Sequence, residues 1–345
     1  MSMLLLAAIL FLAGTARAQW RNVTSDLGGD FGWGRGSCAS IATAPGSDTV
    51  YVNIGKIGLY RSDDGGETWN DAAARDNVAF PDGIVNLFLF DPRDPKTFWI
   101  SCMYGAGLFK SVDGGRHLER ISTFEHLDGV SVDFSDPARQ TLLIGRHEQA
   151  RSLVRSRDGG KSWRGIGKNL PEGTSFSSAP LVVDRDIFLT NTSGWDKGIH
   201  GLWRSTDGGE EWQKVADVSP SDFPLLTSGG TAFYMAGGKL LRSTDKGATW
   251  QTLQTPVTRI PIELPDGRLA ALGSRQIHLS ADTGTTWRAF GPPCPVTPGF
   301  CGSCLAFGAK HRWFFVCNAS DTTSTNAVWR LDAAGPGFDA AAGSN

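Results

Sequence analysis

The sequence predicts an all-β fold in which one four-stranded antiparallel unit is repeated around a ring. Three observations predict it. A nine-residue segment recurs six times, as RSDDGGETW, KSVDGGRHL, RSRDGGKSW, RSTDGGEEW, RSTDKGATW and LSADTGTTW. Its serines, at 62, 111, 156, 205, 243 and 280, are spaced by 49, 45, 49, 38 and 37 residues, a period that marks a repeat architecture. The chain is rich in Gly (43) and Trp (12) and shows no long helical patterns, which suits short strands joined by tight turns.

The elements follow in chain order. Residues 1–18 hold an apolar run from Met3 to Ala13 and a small-x-small site at Ala16, Arg17 and Ala18. This pattern reads as a secretory signal peptide cleaved after Ala18. The run is shorter than a bilayer span and no other stretch approaches that length. The expectation is therefore a secreted, periplasmic or extracellular protein with no membrane span. In the first repeat, SIATAP, TVYVNI and GLYRS supply three strands, and the segment starting at Trp69 supplies a fourth. NLFLFDP, TFWISC and GLFKS repeat the pattern, as do VSVDFSDP, TLLIG and SLVRS. Four short antiparallel strands per repeat make a propeller blade.

After the sixth segment, LAFGA, RWFFVC and AVWRL give three more strands. Arg330 stands there as Arg204 stands in its own repeat, but LDAAG replaces the recurring turn. QWRNV, residues 19–23, reads as the missing fourth strand. The prediction is a single seven-bladed β-propeller over 19–335, at about 47 residues per blade. The N-terminal strand completes the last blade, so that no sheet edge is left exposed. Residues 336–345 are expected to form a disordered C-terminal tail.

The recurring segment is predicted to be the turn between third and fourth strands. Its Ser and Asp side chains can bond the turn's own N–H groups, and its Gly supplies positive φ. Its Trp fills the gap between blades, burying on the order of 150–250 Å². Structural roles are thus assigned to Ser62, Asp64, Gly66 and Trp69; Ser111, Asp113 and Gly115; and Ser156, Asp158, Gly160 and Trp163. The same holds for Ser205, Asp207, Gly209 and Trp212; Ser243, Asp245, Gly247 and Trp250; and Ser280, Asp282, Gly284 and Trp287. A turn present in almost every blade is not a unique catalytic centre. Leu118, which replaces the second Trp, is expected to cost packing and not activity.

These segments resemble Asp-boxes, or BNR repeats, found in sialidases, sortilin-type receptors, xyloglucanases and photosystem II assembly-factor propellers. The resemblance spans the mature chain and implies the propeller, but such propellers carry diverse chemistry. DP turns between first and second strands resemble the sortilin, xyloglucanase and assembly-factor group. TRIPIELPDGRLAALGS is similar to the Arg-Ile-Pro segment of sialidases, with Arg259 in the place of a carboxylate clamp. That segment here precedes the sixth box instead of the first. None of Tyr51, Tyr60, Tyr104 and Tyr234 is an evident nucleophile, so a true sialidase is not expected.

A net charge of −2 offers no electrostatic case for nucleic acid. The six cysteines, at 38, 102, 294, 301, 304 and 317, allow disulfides in an exported chain, and Cys294 to Cys301 is a sterically allowed bridge. Zinc is disfavoured, because no His-rich partner adjoins CPVTPGFCGSC. Asn22, Asn191 and Asn318 head glycosylation sequons.

A binding site is expected over the central channel, on the face opposite the boxes. That face carries the loops between second and third strands and those between blades. The catalytic candidates there are His126, Arg146, His147, Glu148 and His200; adjacent histidines and carboxylates suit acid–base work or a metal. The substrate-binding candidates are Trp33, Arg35, Asp76, Tyr104, Trp195, Arg259 and Arg275, with aromatic rings to stack on sugars. Arg75, Asp82, Glu125, Asp128, Asp196 and Lys197 lie on the same loops. The predicted function is a secreted propeller that binds or acts on glycans, as a glycoside hydrolase or polysaccharide lyase. The alternative is a non-catalytic binding or scaffold propeller. The expected partner is a glycan or polysaccharide, or a protein, with the chain a monomer. No cofactor is implied beyond room for a channel-mouth divalent cation such as calcium. Convergence of His126, His147 and His200 at the channel mouth would favour an enzyme.

Overall fold

The computed structural model describes residues 19–25, 27, 40–54, 58–72, 85–105, 107–176, 178–296, 304–317, 327–333 and 338. They form seven four-stranded antiparallel sheets, the blades of a propeller. Blade one runs from Ser40–Thr43 to Asn70–Asp71, blade two from Val85–Asp91 to Glu119–Arg120, and blade three from Leu127–Val132 to Arg164–Gly165. Blade four runs from Leu181–Asp184 to Gln213–Ala216, blade five from Leu225–Leu226 to Gln251–Leu253, and blade six from Ile262–Glu263 to Arg288–Phe290. Blade seven holds Leu305–Gly308, Trp313–Cys317, Val328–Asp332 and, as its outer strand, Trp20–Asn22. The closing register pairs Trp20 with Leu331, Arg21 with Arg330 and Asn22 with Trp329. Second strands such as Val50–Ile54, Ala232–Ala236 and Leu269–Gly273 are buried along their whole length. They read as near-continuous apolar runs because blades cover both of their faces.

Each box is the turn between third and fourth strands, as predicted. In box one, Ser62 Oγ accepts from the Gly66 N–H at 2.7 Å and donates to Asp64 Oδ1 at 2.8 Å. Asp64 in turn accepts from the Thr68 N–H and hydroxyl at 2.9 and 2.7 Å. Gly66 has φ +92°, and a Cβ there would lie 2.9 Å from Val23 of the neighbouring blade. Only glycine meets both constraints at little cost. In box two His117 replaces the hydroxyl residue, and its Nδ1 meets Asp113 at 2.5 Å. Leu118 is buried where the other boxes carry Trp.

Three box Trp donate backward along the ring, while Trp250 and Trp287 donate to Gly247 O and Gly284 O of their own boxes at 3.1 and 2.9 Å. Trp69 Nε1 donates to Val23 O at 2.6 Å, and Trp212 Nε1 to Ile166 O at 3.4 Å. Trp20 Nε1 donates likewise to Pro292 O of the loop leaving blade six, at 2.9 Å. Blade seven has therefore lost the box turn and kept its Trp.

The residue before the box Ser reaches forward. Arg204 donates to Lys246 O at 2.9 Å, Arg242 to Thr283 O at 2.9 Å and Arg330 to Gly65 O at 2.6 Å. Arg61 and Arg155 make the same bond to Gly114 O and Gly208 O. The acceptor is always the carbonyl just before the second box glycine of the next blade. Lys110, at this position in blade two, sits instead over the Trp99 ring. The seam between blades two and three is bridged by a bidentate pair, Arg139 to Asp91 at 2.7 and 2.8 Å, with both side chains buried.

Two sequence readings are corrected. Cys294 is a buried free thiol, as is Cys102, so Cys294 makes no bridge to Cys301. Cys304 and Cys317 are each engaged in a disulfide, while Cys38 and Cys301 lie outside the described residues. Phe338, assigned to the tail, is buried against Phe307 and under Arg268, whose Nη1 donates to Phe338 O at 2.9 Å. The Asn191 side chain is also buried; its Oδ1 accepts from the Ala179 N–H and its Nδ2 donates to Ser193. Residues 1–18, read above as a signal peptide, and Asn318 lie outside the described residues.

Candidate functional site

Antiparallel pairing puts every box turn on one face and every loop between second and third strands on the other. On that second face, loops from blades two to five surround a cavity of about 330 Å³. Its wall includes Met103, Asp128, His147, Ser178, Trp195 and Asp222. Phe223 forms part of its wall and also part of the apolar central channel below, lined by inner-strand residues such as Leu87, Val130 and Leu181. Gly129 lets that ring come close, since a Cβ there would lie 3.0 Å from Phe223 Cε1.

His147 and Asp128 are the centre of the wall. Asp128 lies on the first strand of blade three, and His147 directly follows its second strand. Their register brings His147 Nδ1 to 2.6 Å from Asp128 Oδ1, with both side chains buried. Asp128 Oδ2 accepts the Ser178 N–H at 2.9 Å, which ties the pair to the loop entering blade four. With Nδ1 engaged by the carboxylate, His147 turns Nε2 toward the Tyr104 hydroxyl and Glu148 Oε1, each at 3.3 Å. Burial pulls the His147 pKa down, but the hydrogen bond and charge of Asp128, together with Glu148, outweigh it and leave it raised. His126 and Glu148 both hold φ 55°, a left-handed conformation that costs energy for residues with a Cβ. His126 serves the pair through its backbone, its carbonyl accepting the His147 N–H at 2.6 Å.

Across the cavity stands Asp222, on the loop between blades four and five. It accepts from Arg259 Nη1 at 3.2 Å and from the Ile260 N–H at 3.1 Å. Burial raises its pKa against the opposing pull of Arg259. Trp195 stands at the rim, 74% exposed, with its ring edge-on to Phe176 at 4.7 Å and 6.4 Å from the His147 ring. A half-buried or exposed Trp with a fixed ring is a stacking surface.

The structure brings together His147, Glu148, Tyr104 and Trp195 of the predicted residues, and separates the others from them. His126 is exposed and touches only the edge of Tyr104, at 6.0 Å. His200 lies 3.8 Å from Asp196 on its own long loop, and Asp196 Oδ1 accepts from Ser175 of the segment entering blade four. The three histidines are thus divided between a site and a loop brace. Among the described residues no group of three His, Cys, Asp or Glu is placed to hold a metal ion. Arg146 lies over the Phe124 ring, and Arg275 donates to Cys294 O. Arg259 braces Asp222, which accounts for its guanidinium without a substrate. Trp33, Arg35, Arg75, Asp76 and Asp82 lie outside the described residues. Sequence reasoning missed Asp222, Ser178 and Phe223. The signal for Asp222 was present, a lone carboxylate between Pro220 and Pro224 on a loop of the correct face.

The profile of the DUF6242 beta propeller domain matches residues 162–336, and that of the BNR/Asp-box repeat matches residues 60–71. A xyloglucanase from Paenibacillus sp is 23% identical over 310 residues, which cover 79% of this chain and 28% of that protein. A xyloglucanase from Hypocrea jecorina is 23% identical over 293 residues, covering 68% and 34%. The chain thus spans about a third or less of the length of these curated relatives. The GH74 xyloglucanase from Xanthomonas campestris superposes with a TM-score of 0.58 at 17% identity, covering 90% of this chain and 55% of that one. The extracellular domain of a one component system from B. thetaiotaomicron gives 0.59 at 9%, covering 91% and 40%. YCF48 from Cyanidioschyzon merolae gives 0.51 at 14%, covering 91% and 98%. At such identities the superpositions establish the propeller fold and no activity.

Proposed function

The chain belongs to the DUF6242 β-propeller family, and from that premise we propose that its loop face binds a glycan at the His147–Trp195 cavity in an exported protein. One observation carries the reading: a 74% exposed Trp195 is braced edge-on at the rim of a mainly apolar cavity whose wall includes four serines and two aspartates. An aromatic face beside hydrogen-bonding groups suits a sugar, which presents C–H faces and hydroxyls together. The xyloglucanase relatives are glycan-directed by name and support the class. Affinity electrophoresis of the mature chain through polysaccharide gels tests it. Wild-type protein is expected to be retarded on at least one glycan, and Trp195→Ala to lose about tenfold in affinity. Equal retardation of the two proteins, or none on any glycan, would sink the proposal.

A second reading is favoured by one specific contact. His147 Nε2 faces a phenol and a carboxylate at 3.3 Å while Asp128 fixes its other nitrogen. That is the geometry of an oriented acid–base group. It supports a glycosidase or lyase at the same cavity. New reducing ends, or unsaturated-product absorbance, formed by wild type and abolished in His147→Gln would establish it. The paired free carboxylates that most glycosidases use are not offered by Asp128 and Asp222, whose oxygens are already engaged.

A further inference from the structure

We infer that the ligand of this cavity is an uncharged saccharide; the inference rests on the glycan reading above and narrows it. The ionisable groups of the described wall are already balanced within the protein. Asp128 is paired with His147 and with the Ser178 N–H. Asp222 is backed by Arg259 and the Ile260 N–H. No Arg or Lys stands among the described residues of the wall. A uronate or sulfated sugar would bring its anion beside two buried carboxyl groups and meet no Arg or Lys among the described residues of the wall, where His147 is already held by Asp128. Stripping such an anion of water without a partner is costly, and the like charges oppose it further. Arg146, the nearest sequence candidate for a uronate clamp, lies over the Phe124 ring and does not line the cavity.

What the cavity leaves unmatched is neutral. Ser178 lines the wall; its Oγ, closed off from solvent beside Gly145, has no hydrogen-bond partner and meets a ligand by turning about χ1. A buried hydroxyl without a partner is destabilising until something supplies one. Ser193 Oγ accepts from Asn191, and its own hydrogen remains to donate. These groups match sugar hydroxyls, which both donate and accept. The apolar parts, Trp195, Phe223 and Met103, match the C–H faces of the ring. At about 330 Å³ the cavity lies at the small end of ligand sites and suits a short saccharide.

The test runs the mature chain through gels containing a neutral glucan, a galactomannan, polygalacturonate or alginate, at low and high salt. Retardation on a neutral gel is expected to exceed that on either acidic gel at least tenfold and to be insensitive to salt. Ser178→Ala, with an unchanged melting profile, is expected to weaken it about tenfold, one hydrogen bond's worth. Retardation on an acidic gel alone, or binding that salt abolishes, would overturn the inference and leave the glycan reading standing. Neutral-gel binding indifferent to Ser178→Ala would overturn the assignment to this cavity. Binding to none of the four would take down the glycan reading and this inference together.

Discussion

The box face and the loop face of this propeller are made from the same seven sheets, yet they were shaped by opposite demands. On the box face, one solution recurs: Ser to Gly in all six boxes, Asp to a hydroxyl residue in four, Trp backward in three, and Arg forward in five blades. On the loop face nothing is copied. His147, Trp195 and Asp222 each occur in one blade's loops and Asp128 on one blade's inner strand, and together they line a single cavity. Repetition marks what every blade needs, and departure from it marks what the molecule needs once. Two departures on the box face obey the same logic. Blade seven drops the turn and keeps Trp20. Blade two loses its Trp and its Arg, and the seam to blade three gains the Asp91–Arg139 pair.

The sharpest way to break this comparison is at that exceptional seam. Arg139→Ala leaves Asp91 buried and unpaired, and is expected to cost about 3–5 kcal/mol of stability. A chemical-denaturation midpoint reads it directly. The double variant Arg139→Leu with Asp91→Leu should recover much of the loss, since a buried pair replaced by apolar groups is often neutral. If Arg139→Ala costs under about 1 kcal/mol, the seam is not held by the pair.

Within an ordinary box the effect is smaller. Ser205→Ala removes one hydroxyl that serves two partners, the Gly209 N–H at 2.8 Å and Asp207 at 2.7 Å. The expected cost is about 1–3 kcal/mol. Glycan retardation should be unchanged, because the box lies on the far face. Trp195→Ala should do the reverse, with stability within about 0.5 kcal/mol of wild type, as for surface substitutions, and binding lost. A box variant that abolishes binding without unfolding the chain would remove the division between the faces.

The same division decides what was legible in the sequence. The boxes could be read because a local turn is specified by its own residues: Ser62, Asp64 and Gly66 make their bonds within five positions. Closure could be read because QWRNV ends like a box strand and Arg330 sits where Arg204 sits, and the two arginines do make the same bond. The site was legible only in part. Predicted periodicity put His147 and Trp195 on the right loops. Nothing local tied His147 to Asp128, 19 positions away, or Asp222 to Arg259, 37 positions away. Those pairs exist because blades are wrapped into a ring, which is a property of the whole chain. Three histidines on neighbouring loops suggested one cluster, but His200 is drawn aside by Asp196 within its own loop.

The last and smallest expected effect separates the faces by pH. Box carboxylates are held low: hydrogen bonds from Ser162 bring Asp158 down to about 2, and those from Thr249 bring Asp245 down to about 2. A depressed carboxylate contributes stability that is present above its unfolded value, about 3.9, and is lost as pH falls through the folded one. The boxes should therefore weaken together between about pH 4 and 2. His147 has the opposite sign. Its pKa is raised in the fold, so its contribution is complete below the unfolded value, about 6.5, and fades as pH rises through the folded value. A plot of melting temperature against pH should then fall steeply at the acid end, from many boxes, and dip slightly on the alkaline side, from one histidine. In His147→Gln the alkaline dip should vanish while the acid limb stays where it was. An alkaline dip that survives in His147→Gln would mean that the imidazolium–carboxylate pair with Asp128 does not form, and the centre of the loop face would have to be sought elsewhere.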